Sequence, residues 1–484
     1  MADIPQDLLG QIKYLEDLFT VPASKLKEIT DHFVKELAKG LSVEGGSIPM
    51  NVTWVMGYPT GEEQGTFIAL DMGGTNLRVC EIVLPEEKGE FEIIQSKYRM
   101  PEELKTGKSE ELWEYIADCV QQFIDYHHED GKLGTVPMGF TFSYPCTQDY
   151  VDHGVLQRWT KGFDISGVEG EDVVPLFEAA LKKRGLPIHL TALINDTTGT
   201  LIASNYTDQS TRIGAIFGTG CNAAYMENVG SCPKIAHLNL PPETPIAINC
   251  EYGAFDNEHI VLPLTKYDKI IDADSPRPGQ QAFEKMISGL YLGEIFRLVL
   301  LDLHQGNACT IFEGQSMTKL SKPYSLDASF LSLIEEDPFE NLSETHDLLK
   351  QQLGLDAKKP ELELVRRLAE LIGTRAARLS ACGIAAIAKK KDLQAPCHVG
   401  ADGSVFNKYP HFKARGAQAL RDIFDWPAST IQQRGKEDPI DIRAAEDGSG
   451  VGAALIAALT IKRVKEGNLI GIKHADKIKK SCLS

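Results

Sequence analysis

The sequence predicts an α/β protein, because segments typical of buried strands alternate with long segments of helical periodicity. Strand-like segments lie at 66–84, 135–145, 189–196 and 212–227. The two strands around a glycine turn at 66–84 have a counterpart at 212–227, a recurrence consistent with internal duplication. A chain of 484 residues is too long for one core and indicates two or more domains.

Helices are predicted near the N-terminus and in the second half of the chain. Apolar residues recur at helical spacing from 8 to 19 and from 26 to 37, and Ser24 is placed to cap the second helix. Further helical segments, with one short strand (395–404) between the last two, lie at 109–128, 280–304, 361–390 and 450–466.

Composition excludes several classes of protein. Asp and Glu number 68 against 50 Lys and Arg, so the net charge of −18 argues against general binding to nucleic acids or anionic membranes. Ten scattered cysteines without a C-x-x-C pair predict reduced thiols in the cytoplasm. The N-terminus lacks a signal-peptide pattern, and no stretch is expected to span a membrane, since the most apolar one (450–459) is too short.

Two apparent phosphate motifs are rejected. TGKSE (106–110) contains G-K-S, but Glu102 stands where the first glycine of a P-loop is required. GTGCNA (218–223) matches the dinucleotide fingerprint, yet a strand rather than a helix is predicted to follow it.

Glycine turns follow predicted strands in LDMGGTNLRV (70–79), IFGTGCNAAY (216–225) and GADGSVFNKYP (400–410). Such turns bring backbone amides close to a ligand and form anion-binding nests. In the first turn Arg78 adds a positive charge and Asp71 is placed to hold a metal or its water. An ordinary β-turn would explain each one alone. Near the C-terminus, DGSG opens a helix, where either an anion or a plain cap fits.

A second group of polar residues suits a ligand with many hydroxyls, since carboxylates and amides accept and donate several hydrogen bonds to one sugar. In ALINDTTGT (192–200) a simple helix cap is the alternative, and Glu251 and Glu284 could be surface residues. The group comprises Ser143, Thr160, Lys161, Asn195, Asp196, Asn249, Glu251 and Glu284.

Together these motifs resemble those of the hexokinase family, and most closely the single-unit fungal members, from about residue 5 to about residue 465. The resemblance implies a two-lobed, actin-like ATPase (ribonuclease H-like) fold in which each lobe is a mixed five-stranded sheet flanked by helices. The active site then lies in the cleft between the lobes. The implied organisation is an N-terminal helical segment on the large lobe (1–59), a small lobe (60–194), a large lobe whose last helix returns toward the small lobe (195–470), and a tail (471–484). The motifs are LDMGGTNLRV, GFTFSYP, LQRWTKGFDI, ALINDTTGT, IFGTGCNAAY, INCEYGAFDNE, SPRPGQQAFEKM and ADGSVFNKYP.

Residue roles follow from the same resemblance. Asp196 is the implied general base and Lys161 a second catalytic residue. Asp71 is implied to hold Mg²⁺ through water. The implied sugar ligands are Ser143, Thr160, Lys161, Asn195, Asp196, Asn222, Glu251 and Glu284. The implied ATP-binding residues are Asp71, Gly73, Gly74, Thr75, Asn76, Arg78, Gly218, Thr219, Gly220, Gly289, Ser332, Gly403, Ser404, Val405, Phe406, Asn407 and Lys408. Ala328 departs from the threonine of many relatives, and Ser329 or Ser332 is expected to replace its contact.

The implied activity is transfer of the γ-phosphate of Mg-ATP to the C6 hydroxyl of glucose, and also of fructose and mannose, as the first step of glycolysis. Sugar-driven closure of the lobes is expected, with hinges near 195–199 and 450–466. The alternatives are a glucose-binding sensor and an actin-like or chaperone-like ATPase. A cytoplasmic monomer or homodimer is expected, without nucleic-acid or membrane partners.

Overall fold

Two mixed β-sheets with helices packed against them form the framework of the protein. The computed structural model describes residues 6–73, 76–128, 134–160, 163–305, 311–393, 395–426, 438–445 and 447–482.

The strands follow the sequence pattern closely. In chain order they are β1 (Asn51–Val52), β2 (Gly65–Met72), β3 (Asn76–Leu84), β4 (Glu92–Arg99), β5 (Val136–Phe142), β6 (Cys146–Thr147), β7 (Val155–Leu156), β8 (Ile188–Ile194), β9 (Thr211–Phe217), β10 (Cys221–Asn228), β11 (Pro245–Asn249), β12 (Cys397–Asp402) and β13 (Ile440–Ala444).

The helices include every segment predicted from periodicity. They are α1 (Gln6–Phe19), α2 (Ala23–Ser42), α3 (Ser109–His127), α4 (Val173–Lys183), α5 (Asp196–Thr207), α6 (Lys266–Asp274), α7 (Ala282–Ile287), α8 (Gly289–Gln305), α9 (Ala328–Glu336), α10 (Ser343–Leu348), α11 (Lys359–Lys391), α12 (Ser404–Lys408), α13 (Phe412–Phe424), α14 (Gly448–Lys465) and α15 (Ala475–Cys482).

The two sheets repeat one topology, which confirms the duplication. The order β4-β3-β2-β5-β8 corresponds to β11-β10-β9-β12-β13, and in each sheet the first two pairings are antiparallel and the last two parallel. The second sheet has six strands rather than five, because β1 pairs with the outer edge of β11. An added strand satisfies edge groups that would otherwise need water.

Three details of the predicted helices are wrong. Pro22 rather than Ser24 occupies the N-cap of α2, with no side-chain hydrogen bond, and Ser24 lies inside the first turn. The segment 280–304 is two helices, because the chain breaks at Ser288 and the amide of Gly289 donates to the carbonyl of Gly218 (2.8 Å). The helix α11 is also long and apolar enough to cross a membrane by length and composition, contrary to expectation. It is a core helix, with 89% of its apolar window buried.

The core has two apolar clusters. One lies wholly between Ile68 and Leu193, and the other gathers the remaining buried apolar residues, including those of α1 and α2, which pack on α11. The larger cluster also contains residues of 60–194, among them Phe67, Val151 and Ala192, so the clusters do not test the expected division at 59, 194 and 470, which stays a prediction.

Helices α5 and α14 cross where glycines allow backbone contact. A Cβ on Gly452 would lie 2.2 Å from the carbonyl oxygen of Gly199, so no larger residue fits there without moving one helix. The same helix α14 packs on β2, β5 and β8. The two predicted hinge segments therefore touch each other.

The last helix is anchored by a carboxylate. Glu178 of α4 pairs with His189 (3.0 Å) and with Lys477 of α15 (3.0 Å). Burial alone would raise the pKa of Glu178, but hydrogen bonds from His189 and Lys477 outweigh it and lower the pKa to about 2.

Glu178→Gln is expected to lower the free energy of unfolding at pH 7 by about 1–2 kcal/mol. Because the pKa is lower in the folded state, this stabilisation is fully present above about pH 4.5 and is lost as the pH falls toward 2. Urea unfolding of both proteins should show a difference that shrinks over this range, and a difference independent of pH would contradict the pairing.

Candidate active site

The candidate site lies where strands of both sheets end. Asp71, Ser143 and Asn195 lie at or just beyond the carboxyl ends of β2, β5 and β8, which are parallel neighbours. Gly218 and Gly403 follow β9 and β12 in the same way. Open α/β sheets bind ligands outside these ends.

The stretch ALINDTTGT does begin a helix, but Asn195 is its cap. The side-chain oxygen of Asn195 accepts hydrogen bonds from the amide (3.0 Å) and the hydroxyl (2.6 Å) of Thr197. Asp196 is the first residue of α5, and one of its oxygens accepts from the amide of Thr197 (2.8 Å). Because Asn195 performs the capping, the half-buried carboxylate of Asp196 is available for another role.

A hydrogen-bonded network connects this helix start to the second sheet. The amide nitrogen of Asn222 donates to Asn249 (2.7 Å) and to Glu251 (3.2 Å), and lies 3.3 Å from the hydroxyl of Thr197. Asn249 also donates to Glu251 (2.9 Å). Thr197, Asn222 and Asn249 are buried, whereas Asn195 and Glu251 are half-buried and face the more open side of the network. We call these five residues, Asn195, Thr197, Asn222, Asn249 and Glu251, the junction network.

Glu251 itself has a left-handed backbone, with φ of 55°, which non-glycine residues rarely adopt. Its amide donates to the side-chain oxygen of Asn222 (2.9 Å), and this bond helps to hold the conformation. Strain of this kind concentrates at functional sites.

Glu284, on α7, approaches the network from the other side. Its carboxylate accepts from the amide of Cys221 (3.0 Å), directly beside Asn222. Burial, followed by the charges of Glu284 and Glu251, raises the pKa of the Cys221 thiol well above its usual value, so this thiol stays neutral. Two carboxylates thus lie near a set of amides, as a polyhydroxylated ligand requires.

Of the predicted sugar residues from the first sheet, Ser143 is buried and its amide donates to the carbonyl of Met72 (3.2 Å). Thr160 is half-buried, and its carbonyl accepts from the amide of Phe163 (3.1 Å). Lys161 lies outside the described residues, and its predicted role stays a prediction.

The glycine turns of the second sheet come together. The carbonyl of Gly218 accepts from the amide of Gly289, and the carbonyl of Thr219 from the amide of Leu290 (3.4 Å). Gly403 has φ of 113°, and a Cβ there would lie 2.5 Å from the carbonyl oxygen of Phe217. Gly218, Gly289 and Gly403 therefore form one cradle, which is too tight for a Cβ at Gly403 and at Gly289, where the added atom would lie 2.9 Å from Val405.

Around this cradle, the predicted residues of α12 divide into two groups. Val405 and Phe406 are buried, so their side chains pack in the core and only their backbone can face a ligand. Ser404, Asn407 and Lys408 are exposed, as is Thr219, whereas Gly220 is half-buried.

Ser332, the other predicted nucleotide contact, donates its hydroxyl to the carbonyl of Ala328 (3.1 Å). The hydroxyl of Ser329 donates to Asp327 (2.5 Å), the N-cap of α9. Both hydroxyls therefore bond within their own helix segment.

On the first sheet, Asp71 belongs to a charged cluster. Its carboxylate accepts from the hydroxyl of Ser449 (2.6 Å) and from the guanidinium of Arg78 (3.4 Å). Arg78 also donates to Asp447 (2.5 Å) and Ser449 (2.7 Å) at the start of α14. The positive charge of Arg78 is thus shared by two carboxylates, in addition to any phosphate it contacts.

The remaining predicted residues of this turn lie around the cluster. Gly73 is half-buried and Asn76, the first residue of β3, is exposed. Gly74 and Thr75 fall outside the described residues.

Sequence reasoning missed Thr197 as a network member and Ser449 as a partner of Asp71. Thr197 looked like a capping residue, and the DGSG motif fitted either an anion site or a plain cap; Asp447 does cap the helix, accepting from the amide of Gly450 (3.3 Å). The only signal was that Thr197 directly follows Asp196 and that Ser449 belongs to the DGSG motif (447–450).

The family models and the relatives that match this chain over nearly its whole length are hexokinases. Two family models described as Hexokinase match residues 11–206 and 212–459. A hexokinase of Emericella nidulans is 70% identical, covering 100% of this chain and 97% of the relative. Hexokinase-2 of Saccharomyces cerevisiae is 52% identical, covering 98% and 96%. A structure of Schistosoma mansoni hexokinase complexed with glucose has a TM-score of 0.82 and 34% identity, covering 94% of this chain and 99% of that one.

Gly403→Ala is expected to raise the KM for the nucleotide by about tenfold or more, because the added Cβ displaces the turn at Gly218. Glucose affinity, measured by calorimetry, should change less than about twofold, since the junction network is untouched. Gly170→Ala is the matched control: Gly170 also has positive φ (81°) but nothing within 4 Å. Equal nucleotide KM values for the two variants would contradict the cradle.

Proposed function

The chain belongs to the hexokinase family, and we propose that it transfers the γ-phosphate of Mg-ATP to the C6 hydroxyl of glucose, giving glucose 6-phosphate and ADP. The observation that carries this proposal is the placement of Asp196, at the start of a helix whose N-cap is Asn195, beside the junction network. The glucose complex of the Schistosoma mansoni relative supports glucose as the sugar. Fructose and mannose share many hydroxyls with glucose, and we propose them as further substrates.

The sugar is held by the carboxylates of Glu251 and Glu284 with the amides of Asn195 and Asn222. Each carboxylate can accept two sugar hydroxyls, and charge-assisted bonds are stronger than neutral ones. Ser143, just beyond β5, and Thr160 are further sugar ligands in this proposal, and Lys161 keeps its predicted role. A sugar so bound is presented to Asp196.

Asp196 acts as the general base. It accepts the proton of the C6 hydroxyl as that oxygen attacks the γ-phosphorus, the bond from the γ-phosphorus to the β-γ bridging oxygen breaks, and ADP leaves. Phosphoryl transfer depends mainly on positioning and charge neutralisation, so the cradle of Gly218, Gly289 and Gly403 contributes by placing the phosphates.

The donor set fits magnesium. Among the described residues, no group of three or more His, Cys, Asp or Glu side chains could hold a metal ion alone, while Asp71 offers one carboxylate near the first glycine turn. Mg²⁺ usually keeps several waters and binds one or two carboxylates plus substrate phosphates. When bound, it neutralises charge on the β- and γ-phosphates; Asp71 would hold it through water.

The two lobes are proposed to close on the sugar, because water resembles the C6 hydroxyl and would otherwise be phosphorylated in its place. The contact of Gly199 with Gly452 joins the two proposed hinge segments.

We also propose a cytoplasmic location. In the part of the chain that the structure describes, the free cysteines include Cys80, Cys119, Cys221, Cys232, Cys250, Cys382 and Cys397, which are buried, and Cys146, which is half-buried.

Two other functions make different predictions. A glucose sensor would bind glucose without turnover, and an actin-like ATPase would hydrolyse ATP without glucose. Asp196, Asp71 and the glycine cradle favour a kinase over the sensor, and the junction network with Glu284 favours a sugar kinase over the ATPase.

Asp196→Asn is expected to reduce kcat by about 10²–10⁴, the usual contribution of a general base, with glucose affinity retained within about threefold. Sugar phosphate and ADP are measured together with calorimetric glucose binding. Asp125→Asn, an exposed change on α3, is the control. A kcat within tenfold of the wild type would rule out Asp196 as the base.

Saturating glucose is expected to reduce the radius of gyration measured by small-angle X-ray scattering, because the lobes close. ATP without sugar should produce a smaller change. An unchanged scattering curve on adding glucose would contradict closure.

A further inference from the structure

The strand that leads to Asp196 is supported on its open side by one loop. Among the described strands, β8 is the edge of the first sheet and pairs with β5 alone. On its outer side, the amide of Leu193 donates to the carbonyl of Val151 (2.8 Å), and the carbonyl of Leu193 accepts from the side-chain amide of Gln148 (2.9 Å). Leu193 is buried and lies three residues before Asp196.

Gln148 is itself fixed from two sides. Its side chain also donates to the carbonyl of His153 (3.0 Å), across its own loop. Its backbone carbonyl accepts from the indole nitrogen of Trp54 (2.9 Å), a buried residue with φ of 62°. The mechanism proposed above uses neither Gln148 nor Trp54.

Trp54 belongs to the chain segment that extends the second sheet. The amide and hydroxyl of Thr53 both donate to the carbonyl of Ala247 on β11 (3.2 and 2.8 Å), and Asn51 pairs with Asn249. The hydrogen bond from Trp54 to Gln148 therefore connects the strand of the junction network with the strand of the general base. It also connects the two apolar clusters, since Trp54 belongs to one and Leu193 to the other.

The C-terminal segment secures this arrangement from outside. The amide of Val151 donates to the carbonyl of Gly471 (2.8 Å), and a Cβ on Gly471 would lie 2.5 Å from the ring of Trp54. The buried carboxylate of Asp152 accepts from the amides of Lys473 and His474 (2.7 Å each). The loop 148–153 is thus held between Trp54 and residues 471–474.

We propose that Gln148 and Trp54 are positioning residues that fix the end of β8 and thereby aim the carboxylate of Asp196 at the sugar hydroxyl. Without the Gln148 amide, the buried carbonyl of Leu193 lacks this donor, and the strand end shifts to find another. A displacement of about 1 Å between reacting groups reduces rates by about 10²-fold. The inference rests on the proposed role of Asp196.

Gln148→Leu removes the donor with little change in size, and Trp54→Phe removes the indole N–H donor and one ring of the indole while keeping an aromatic side chain. Both variants are expected to lower kcat by about tenfold to a hundredfold, with calorimetric glucose Kd changed less than about threefold, because Glu251 and Glu284 lie outside both β8 and the loop 148–153. Gln122→Leu, an exposed glutamine on α3, is the matched control.

A double variant separates positioning from two unrelated defects. Because both residues act on one loop, the loss of kcat in Trp54→Phe/Gln148→Leu should be smaller than the product of the single losses. Losses that multiply would contradict a shared action on β8. If Gln148→Leu does not fold, the kcat and the glucose Kd of Trp54→Phe alone test the positioning role.

The proposal is overturned when both variants retain the kcat of Gln122→Leu. It is also overturned when the loss of kcat is fully explained by a smaller fraction of folded protein, measured by thermal unfolding. Asp196→Asn separates a failure of the proposed base from a failure of the positioning role of Gln148 and Trp54. Normal turnover in that variant refutes the proposed base, whereas its loss together with unimpaired Gln148→Leu refutes only the positioning role.

Discussion

The junction network is the interaction on which the rest of the site depends. One hydroxyl, that of buried Thr197, lies within 3.3 Å of polar atoms of Asn195, Asn222 and Asn249. Because the buried members satisfy one another, removal of any one leaves a polar group without its partner. The network therefore fixes the start of α5 against β10 and β11, and with it the distance from Asp196 to the sugar ligands.

The repeated topology explains why two different ligands meet at this place. Each sheet directs the carboxyl ends of its parallel strands toward the same region, one carrying Asp71 and Asn195 and the other the glycine cradle. The helices α5 and α14 cross between the sheets with backbone contact. In the proposed mechanism, a sugar held by Asn222, Glu251 and Glu284 meets Asp196, which follows the last strand of the first sheet.

The sequence allowed prediction of the features that depend on local chain pattern: strand ends, glycine turns, long amphipathic helices and the rejection of GTGCNA as a dinucleotide site. It did not reveal features that depend on distant partners. Arg78 pairs with Asp447, which is 369 residues away. Only the folded chain shows that β1 extends the second sheet and that Val405 and Phe406 point into the core. Asn195 and Asp196 are both common capping residues, so the sequence alone did not show which of the two caps the helix.

The most direct test of this account is calorimetric titration of Thr197→Val with glucose, because valine keeps the shape of threonine and removes only the hydroxyl that joins the network. Thr191→Val is the control, a buried threonine on β8 whose hydroxyl has only a long contact (3.4 Å) to the carbonyl of His189. The account predicts that glucose affinity falls by about tenfold or more in Thr197→Val. An affinity equal to that of Thr191→Val would show that the network does not organise the site.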